Sequence, residues 1–594
     1  MNNFFKTFLA ALLAIVVANI LAGVFLVLVF AGTLAALSSG SVVSVPSNSI
    51  LKIELSDPVY DNPPVNPLST IDFMTMRVQS RMALADILGA IERAAYDPGI
   101  KGIYLAPTSM NMGLATLEEI RRAVIKFRQS GKFVVSYADH YTQGSYYFAT
   151  AADDIYLNPE GGLSWQGLAS NTIFFKGALE KLGIEPEIIR HGEFKSAVEP
   201  FILDKMSNDS RYQMELFVNG MWKNILKDIS EARGIDASLL YEYATDLSVT
   251  DAAGAAAAGM VDGLKYTGEV EQRLRDLVGS GEPVFISLGD YMGRPAKGGR
   301  ASKNKIAVVY AEGDIVDGKG AETQIGGETT AARLAKVRED KSVKAVVFRV
   351  NSGGGSALAS EVIWREMELL RAEKPVVVSM GDYAASGGYY IACPADAILA
   401  SPYTLTGSIG VFGLMFNAEQ GLKEKLGITV DVVKTNPSAD LGRAIFGFAG
   451  VRPMTQYEKN VMQNEVERVY TTFVRHVADG RNLTFDEVDR IGGGRVWAGV
   501  NALEVGLIDG FGGLTEAVAL AADRAGVSGD YRVVYPSRQQ DSFSQIFNML
   551  YDARSGRLLQ GEMGALVEDY QDFVDMLARP GVQAAMPYII RLEL

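Results

Sequence analysis

Ser386 sits in "MGDYAASGGYYIA", residues 380–392, flanked by small residues and followed by two glycines and two tyrosines. A serine in that setting can cap a helix with its hydroxyl, or act as a nucleophile once a base takes its proton. Upstream, "NSGGGS", Asn351–Ser356, follows the apolar run "VVFRV" and precedes a helical pattern. Glycines at such a junction let backbone N–H groups converge on an anion. The loop lacks the lysine of a P-loop and the spacing of a dinucleotide fingerprint. An oxyanion hole therefore fits it better than a phosphate site, since its donors must come close to a developing negative charge.

A serine nucleophile needs a base. The chain has three histidines, His140, His191 and His476. Of these only His476 follows the glycine loop, in the amphipathic run "VERVYTTFVRHVADG", and it reads as a surface residue. A lysine serves instead when burial disfavours its charged form. "KLGIEPEIIRHGEFKSAVEPF" puts Lys195 just after a predicted strand, although taken alone a lysine in "EFKSAVEP" reads as a solvated charge. No HExxH or other paired ligand spacing is present, so neither a metal nor another cofactor is expected. Cys393, the sole cysteine, excludes an internal disulfide framework and reads as a small packed hydrophobe. A formal net charge of −14 argues against nucleic acid as a partner and for an acidic surface.

The chain repeats itself. "VVSYADHYTQGSYYFATAADDIYLNP" matches "VVSMGDYAASGGYYIACPADAILASP", setting Asp139 on Asp382, Tyr146 and Tyr147 on Tyr389 and Tyr390, and Asp153 on Asp396. "KLGI" recurs at Lys181 and Lys425, and "AAAAGMVDG" returns as "ALEVGLIDG". Residues needed by the scaffold should persist in both copies, whereas chemistry can survive in one. Gln143 stands where Ser386 would be, "TSMNMG" replaces the glycine loop, and Ala439 occupies the position of Lys195. Each copy lacks what the other keeps, and a single site built from both accounts for both losses.

The elements that must position these residues alternate. "NKIAVVYAEG", "KAVVFRV" and "KPVVVSM" read as buried strands, and "LADILGAIERA" carries Leu84, Ile87, Leu88 and Ile91 on one helical face. Alternation of this kind implies parallel βαβ units and an α/β fold. With 594 residues, 48% of them hydrophobic, more than one domain is expected. The predicted halves are 49–265 and 304–535, joined by a Gly-rich basic linker at 266–303. A tail from 536 to 594 carries two amphipathic helical stripes, at Phe543, Ile546, Phe547 and Leu550 and at Leu566, Tyr570, Phe573 and Leu577. At the other end, Phe8 to Leu37 runs without a charge after Lys6. About 20 apolar residues span a bilayer as a helix. Residues 1–48 are thus read as a cytoplasmic stub, an uncleaved single-pass anchor contacting lipid through 8–37, and a short linker, with everything after them extracytoplasmic.

With "NSGGGS", "DYAASGGYYIA", "TGSIGVFG" and "GEFKSAVEPF" together, the chain resembles the signal peptide peptidase A family, the protease IV type of membrane-bound serine proteases, in its double-length form. The resemblance implies tandem domains of the Clp-protease and crotonase kind, each a spiral of ββα units. It implies Ser386 as nucleophile and Lys195 as general base, with Ser408 orienting the lysine and Gly355 and Gly387 supplying oxyanion N–H groups. It further implies peptide substrates, cleaved signal peptides above all, at the extracytoplasmic face of the inner (plasma) membrane, and a homo-oligomer, taken as a tetramer. Gly353 stands where the family usually has proline. A crotonase-type acyl-CoA enzyme and an inactive membrane-tethered scaffold or chaperone are the competing readings.

Overall fold

The computed structural model describes residues 44–63, 71–72, 77–78, 82–108, 110–279, 281–294, 302–442, 444–445, 449–536 and 582–585. The run 8–37 read as an anchor and the two amphipathic stripes of the tail lie outside those residues. Among the described residues no helix is long and apolar enough to cross a membrane.

The first half contains β1 (Ser49–Ile53), α1 (Leu84–Tyr96), β2 (Ile100–Leu105), α2 (Leu114–Arg128), β3 (Phe133–Tyr141), α3 (Gln143–Ala149), β4 (Asp154–Leu163), β5 (Glu185–Arg190), α4 (Asn208–Arg233), β6 (Gly263–Leu264) and β7 (Val284–Ser287). Its parallel sheet has the order β6–β4–β3–β2–β1–β7. The second half contains β8 (Lys305–Glu312), β9 (Asp314–Val316), β10 (Gln324–Gly326), β11 (Val343–Ser352), β12 (Gly354–Ser356), α5 (Ala357–Glu373), β13 (Val376–Ala385), α6 (Gly387–Ala392), β14 (Ala397–Ala400), β15 (Leu405–Gly407) and β16 (Phe412–Asn417). These are followed by α7 (Gln456–Arg481), β17 (Val496–Ala498), β18 (Gly510–Phe511), α8 (Leu514–Arg524), β19 (Arg532–Val534) and β20 (Val582–Ala585). Here β18–β14–β13–β11–β8–β19 run parallel in the same order as their counterparts. Central strands buried on both faces need continuous apolar runs, which is why "KAVVFRV" and "KPVVVSM" are legible as strands.

Residues kept in both copies make equivalent bonds. The hydroxyl of Tyr146 donates to Met260 O at 2.7 Å, and that of Tyr389 donates to Leu507 O at 2.8 Å. Asp153 and Asp396 each accept the N–H that opens the preceding strand, from Val134 and Val376, at 2.8 Å. Asp139 and Asp382 differ: Asp139 is exposed and bonds Tyr137 and Asn158. Asp382 reaches into the first half and accepts the N–H groups of Ala115 and Thr116 at the start of α2, where Gly113 has no side chain to offer. The halves also share one core, in which Leu51 and Ile103 join Val308, Val347 and Ala517.

Two expectations are corrected. The stretch 266–303 is not simply a linker: a helix at Thr267–Val278 buries Val270, Leu274 and Val278, and Val284–Ser287 forms the edge strand β7 beside β1. The short run "VFIS" is hidden among glycines and charges that read as loop. In the tail, expected to be helical, the described residues Val582–Ala585 form a strand. That strand belongs to a third sheet, in which β10–β9–β12–β20–β16 continues into two short strands at Ala449–Gly450 and Ala444–Ile445, and to which β5 of the first half adds along β16 with Phe412 opposite Arg190.

Candidate active site

Ser386 stands between β13 and α6. Its position is the N-cap of α6, yet its side chain makes no capping bond. In the first copy Thr142 caps α3 by accepting the N–H of Ser145, and Gln143 spends its amide on the loop at Gln166 and Gly167. The backbone of Ser386 has φ 55° and ψ −117°, a region that costs a non-glycine residue roughly 1–3 kcal/mol. The neighbouring structure holds this turn, with Ser386 N donating to Gly407 O and Tyr390 N to Ser386 O. The tight turn lifts the hydroxyl off the helix end and aims it elsewhere.

It is aimed at Lys195. The Lys195 ammonium or amine nitrogen Nζ lies 2.9 Å from Ser386 Oγ, 3.1 Å from Ser408 Oγ and 3.3 Å from Ser408 O. Both side chains are fully buried. Burial alone brings the Lys195 pKa down to about 7, because an apolar enclosure penalises the charged form. Ser408 also has a positive φ, 49°, and its N–H is held by Arg495 O at 2.7 Å. Antiparallel pairing of β5 with β16 carries the lysine across to the second half, since Lys195 follows β5 and the Ser408 loop leads into β16.

Of the predicted oxyanion glycines, Gly387 opens α6 and Gly355 lies in β12, paired with Ile315 of β9. Gly355 has φ 150°, and a Cβ there would collide with Ile315 O. A Cβ on Gly354 would lie 2.6 Å from Gly387 N, so the glycine loop and the start of α6 pack directly together. Their two backbones thus meet beside the serine.

Sequence reasoning missed the groups that seat the lysine. "IGGGR", Ile491–Arg495, wraps its loop: Gly493 O accepts the N–H of Phe194, and a Cβ on Gly494, whose φ is +87°, would lie 2.7 Å from Lys195 Cα. A Cβ on Gly410 would press on Lys195 Cδ at 3.3 Å. Gln213 of α4 donates to Ser196 Oγ and accepts from Val496 N. The second glycine run was the available signal. His476 is corrected: it is half-buried, stacked on Trp364 with its Nε2 3.0 Å from Glu361. Cys393 is buried, as expected, and its thiol donates to Tyr390 O. Ala439, at the position of Lys195 in the second copy, is exposed.

The Peptidase family S49 model matches residues 126–280 and 368–528. Protease 4 of Haemophilus influenzae is 37% identical, over 81% of this chain and 79% of that protein. The chain belongs to peptidase family S49. This S49 protein is a serine peptidase, a hydrolase, of the protease IV and signal peptide peptidase A type. Serine protease SPPA, chloroplastic, of Arabidopsis thaliana is 32% identical, with 88% of the S49 chain and 77% of that protein covered. Among solved structures, a ClpP1 mutant from Listeria monocytogenes aligns with a TM-score of 0.24 and 13% identity, over 36% of the S49 chain and 94% of its own.

Proposed function

We propose that this protein is a membrane-anchored serine endopeptidase in which Ser386 is the nucleophile and Lys195 the general base. The contact that carries the reading is Lys195 Nζ on Ser386 Oγ at 2.9 Å inside a fully buried site. Neutral Lys195 takes the hydroxyl proton as Oγ attacks a peptide carbonyl. The N–H groups of Gly355 and Gly387 stabilise the oxyanion, and Ser408 keeps the amine oriented. The lysine then protonates the departing amine, and water hydrolyses the acyl-serine ester. Gly353, in place of proline, removes no donor from the oxyanion loop.

The rest of the reading follows the family resemblance. Residues 1–48 anchor the chain through 8–37 with the N-terminus cytoplasmic, and the halves 49–265 and 304–535 are Clp-protease and crotonase-like units outside the membrane. They supply the lysine and the serine respectively, with 266–303 between them and 536–594 as a tail. The substrates are cleaved signal peptides and other hydrophobic peptides at the extracytoplasmic face, and the assembly is a homo-tetramer. A fluorophosphonate probe tests the site: labelling at Ser386 is expected in the wild type and lost in both Ser386→Ala and Lys195→Ala. Turnover of peptide by Lys195→Ala at the wild-type rate sinks the dyad.

A further inference from the structure

A lysine that serves as base holds a proton part-way through the reaction, after it leaves the serine and before it reaches the departing amine. The ammonium then formed at Lys195 lies in an enclosure that penalises charge. Buried cations are generally paired with a carboxylate, and this one is not. Among the described residues its amine makes hydrogen bonds to Ser386 Oγ, Ser408 Oγ and Ser408 O, and no acid reaches it. The acids on the elements around it are exposed or spent elsewhere. Glu185 and Glu193 face solvent, and Glu187 accepts the N–H of Met454. Glu199 accepts the N–H and hydroxyl of Ser207, and Asp382 caps α2. The cations nearby are Arg190, which donates to Lys195 O at 3.4 Å, and Arg495, which lies over the Phe194 ring at 5.4 Å.

What faces the amine is an aromatic ring. Lys195 Nζ lies over the Phe412 ring, 5.9 Å from its centroid. That is within the roughly 6 Å at which a cation is attracted by the negative face of the ring. Phe412 opens β16 opposite Arg190 of β5, and it is buried in a cluster with Ala197, Val198 and Phe201, just past the lysine. Aligned on "KLGI", the first copy has Leu168 at this position. Packing alone therefore accepts an aliphatic side chain there, and the ring belongs to the copy that meets the lysine. Its face favours the ammonium over the neutral amine, so the contact strengthens as the proton arrives.

Resting on the catalytic reading above, we propose that the face of Phe412 takes the place of a counter-carboxylate, stabilising the Lys195 ammonium between the two proton transfers. Phe412 is a positioning residue, since it acts on the reaction through the lysine. The proton still passes from Ser386 Oγ to Lys195 Nζ and then to the leaving nitrogen, and the ring exchanges nothing. Two consequences follow. A ring with a weaker negative face slows the step that forms the ammonium, which lowers the plateau of kcat/KM. It also lets the free enzyme's lysine release its proton more readily, which moves the acid limb to lower pH. A pocket merely loosened would admit water and move that limb upward, toward the ordinary lysine value.

Fluorine withdraws charge from the ring face while changing its shape little. The test is the full-length protein carrying one, two or three fluorines on the ring at position 412, introduced through a reassigned codon, with kcat/KM for a fluorogenic peptide measured against pH. The plateau is expected to fall with each fluorine, reaching about fivefold with three. The limb near 7 should move down by up to about 0.7 unit, the same factor expressed as proton affinity. Phe412→Leu should change both in the same directions. A plateau that does not follow the number of fluorines, or a limb that stays or moves up, overturns the proposal and leaves the protease reading standing. So does Phe412→Leu with the wild-type profile. A wild-type protein inert toward the peptide overturns the catalytic reading and this inference with it.

Discussion

In the proposed dyad Lys195 serves as base because of its enclosure, since burial alone lowers its pKa to about 7. The pH dependence follows. The base is active when neutral, so kcat/KM is expected to rise with pH through a limb near 7 and not near the usual lysine value. Lys195→Arg should be inactive across that range, because a guanidinium stays charged. Stability carries the same signature. The unfolded lysine holds its proton up to about 10.4, and the folded one releases it near 7, so between those values folding expels a proton and stability rises with pH. The slope is about 1.4 kcal/mol per pH unit. Lys195→Met should remove that slope and raise the melting temperature at pH 7 while abolishing turnover, as calorimetry and a peptide assay would show. Ser408→Ala, which deletes one of the contacts at Nζ, should slow turnover about tenfold, the equivalent of one hydrogen bond of about 1–1.5 kcal/mol. Ser386 and Lys195 were legible in the sequence because each is missing from the opposite copy. The strained turn at Ser386, and the fact that its hydroxyl caps nothing, belong to backbone geometry that residue types do not encode.

At the scale of elements, the strands and helices that carry the site were readable where burial imposes a strong pattern. β8, β11 and β13 are continuous apolar runs, and α1 buries the Leu84, Ile87, Leu88 and Ile91 face expected of it. β7 and β20 were not, because "VFIS" and "VQAA" are too short to show a period and take their form from the edges they join. The same limit hid the "IGGGR" loop, whose glycines matter only for what lies against them. The backbone at Gly494 has a positive φ and no room beside Lys195 Cα. Gly494→Ala should therefore displace the lysine: peptide turnover is expected to fall at least about 100-fold, as misplacement by about 1 Å does elsewhere. Far-UV circular dichroism should be unchanged, since the substitution touches a loop. Gly442→Ala, at a glycine of positive φ with open space around it, should leave turnover intact, so that backbone strain alone is separated from the collision.

Over the whole molecule, a site divided between two copies works only if the copies cannot shift. Duplication by itself provides two sheets of like order. What fixes them is a buried cluster at their junction, invisible in the repeat because it is specific to one side. Arg349 of β11 is fully buried and donates to Asp61 at 2.8 Å and to Glu119 of α2 at 2.6 Å, both in the first half, and to Ser379 at 2.8 Å. Asp61 also accepts from Asn351, the residue that opens the glycine loop, and Asn351 in turn accepts the N–H of Tyr383. Asp382 closes the arrangement from the serine-bearing segment by capping α2. The glycine loop is thus tied to α2 through the Arg349 guanidinium, and the Ser386 turn is tied to it directly through Asp382. Burial raises the pKa of Asp61 in spite of Arg349, which marks how costly its charge is in a dry interior. Removing the cation leaves two buried acids without their counter-charge, a loss of about 3–5 kcal/mol. Arg349→Met is therefore expected to lower the denaturant midpoint at pH 8 and to recover part of that loss at pH 5, where the freed Asp61, already raised by burial, takes up a proton. A midpoint equal to the wild type at pH 8 would mean that the halves are held by their shared apolar core alone.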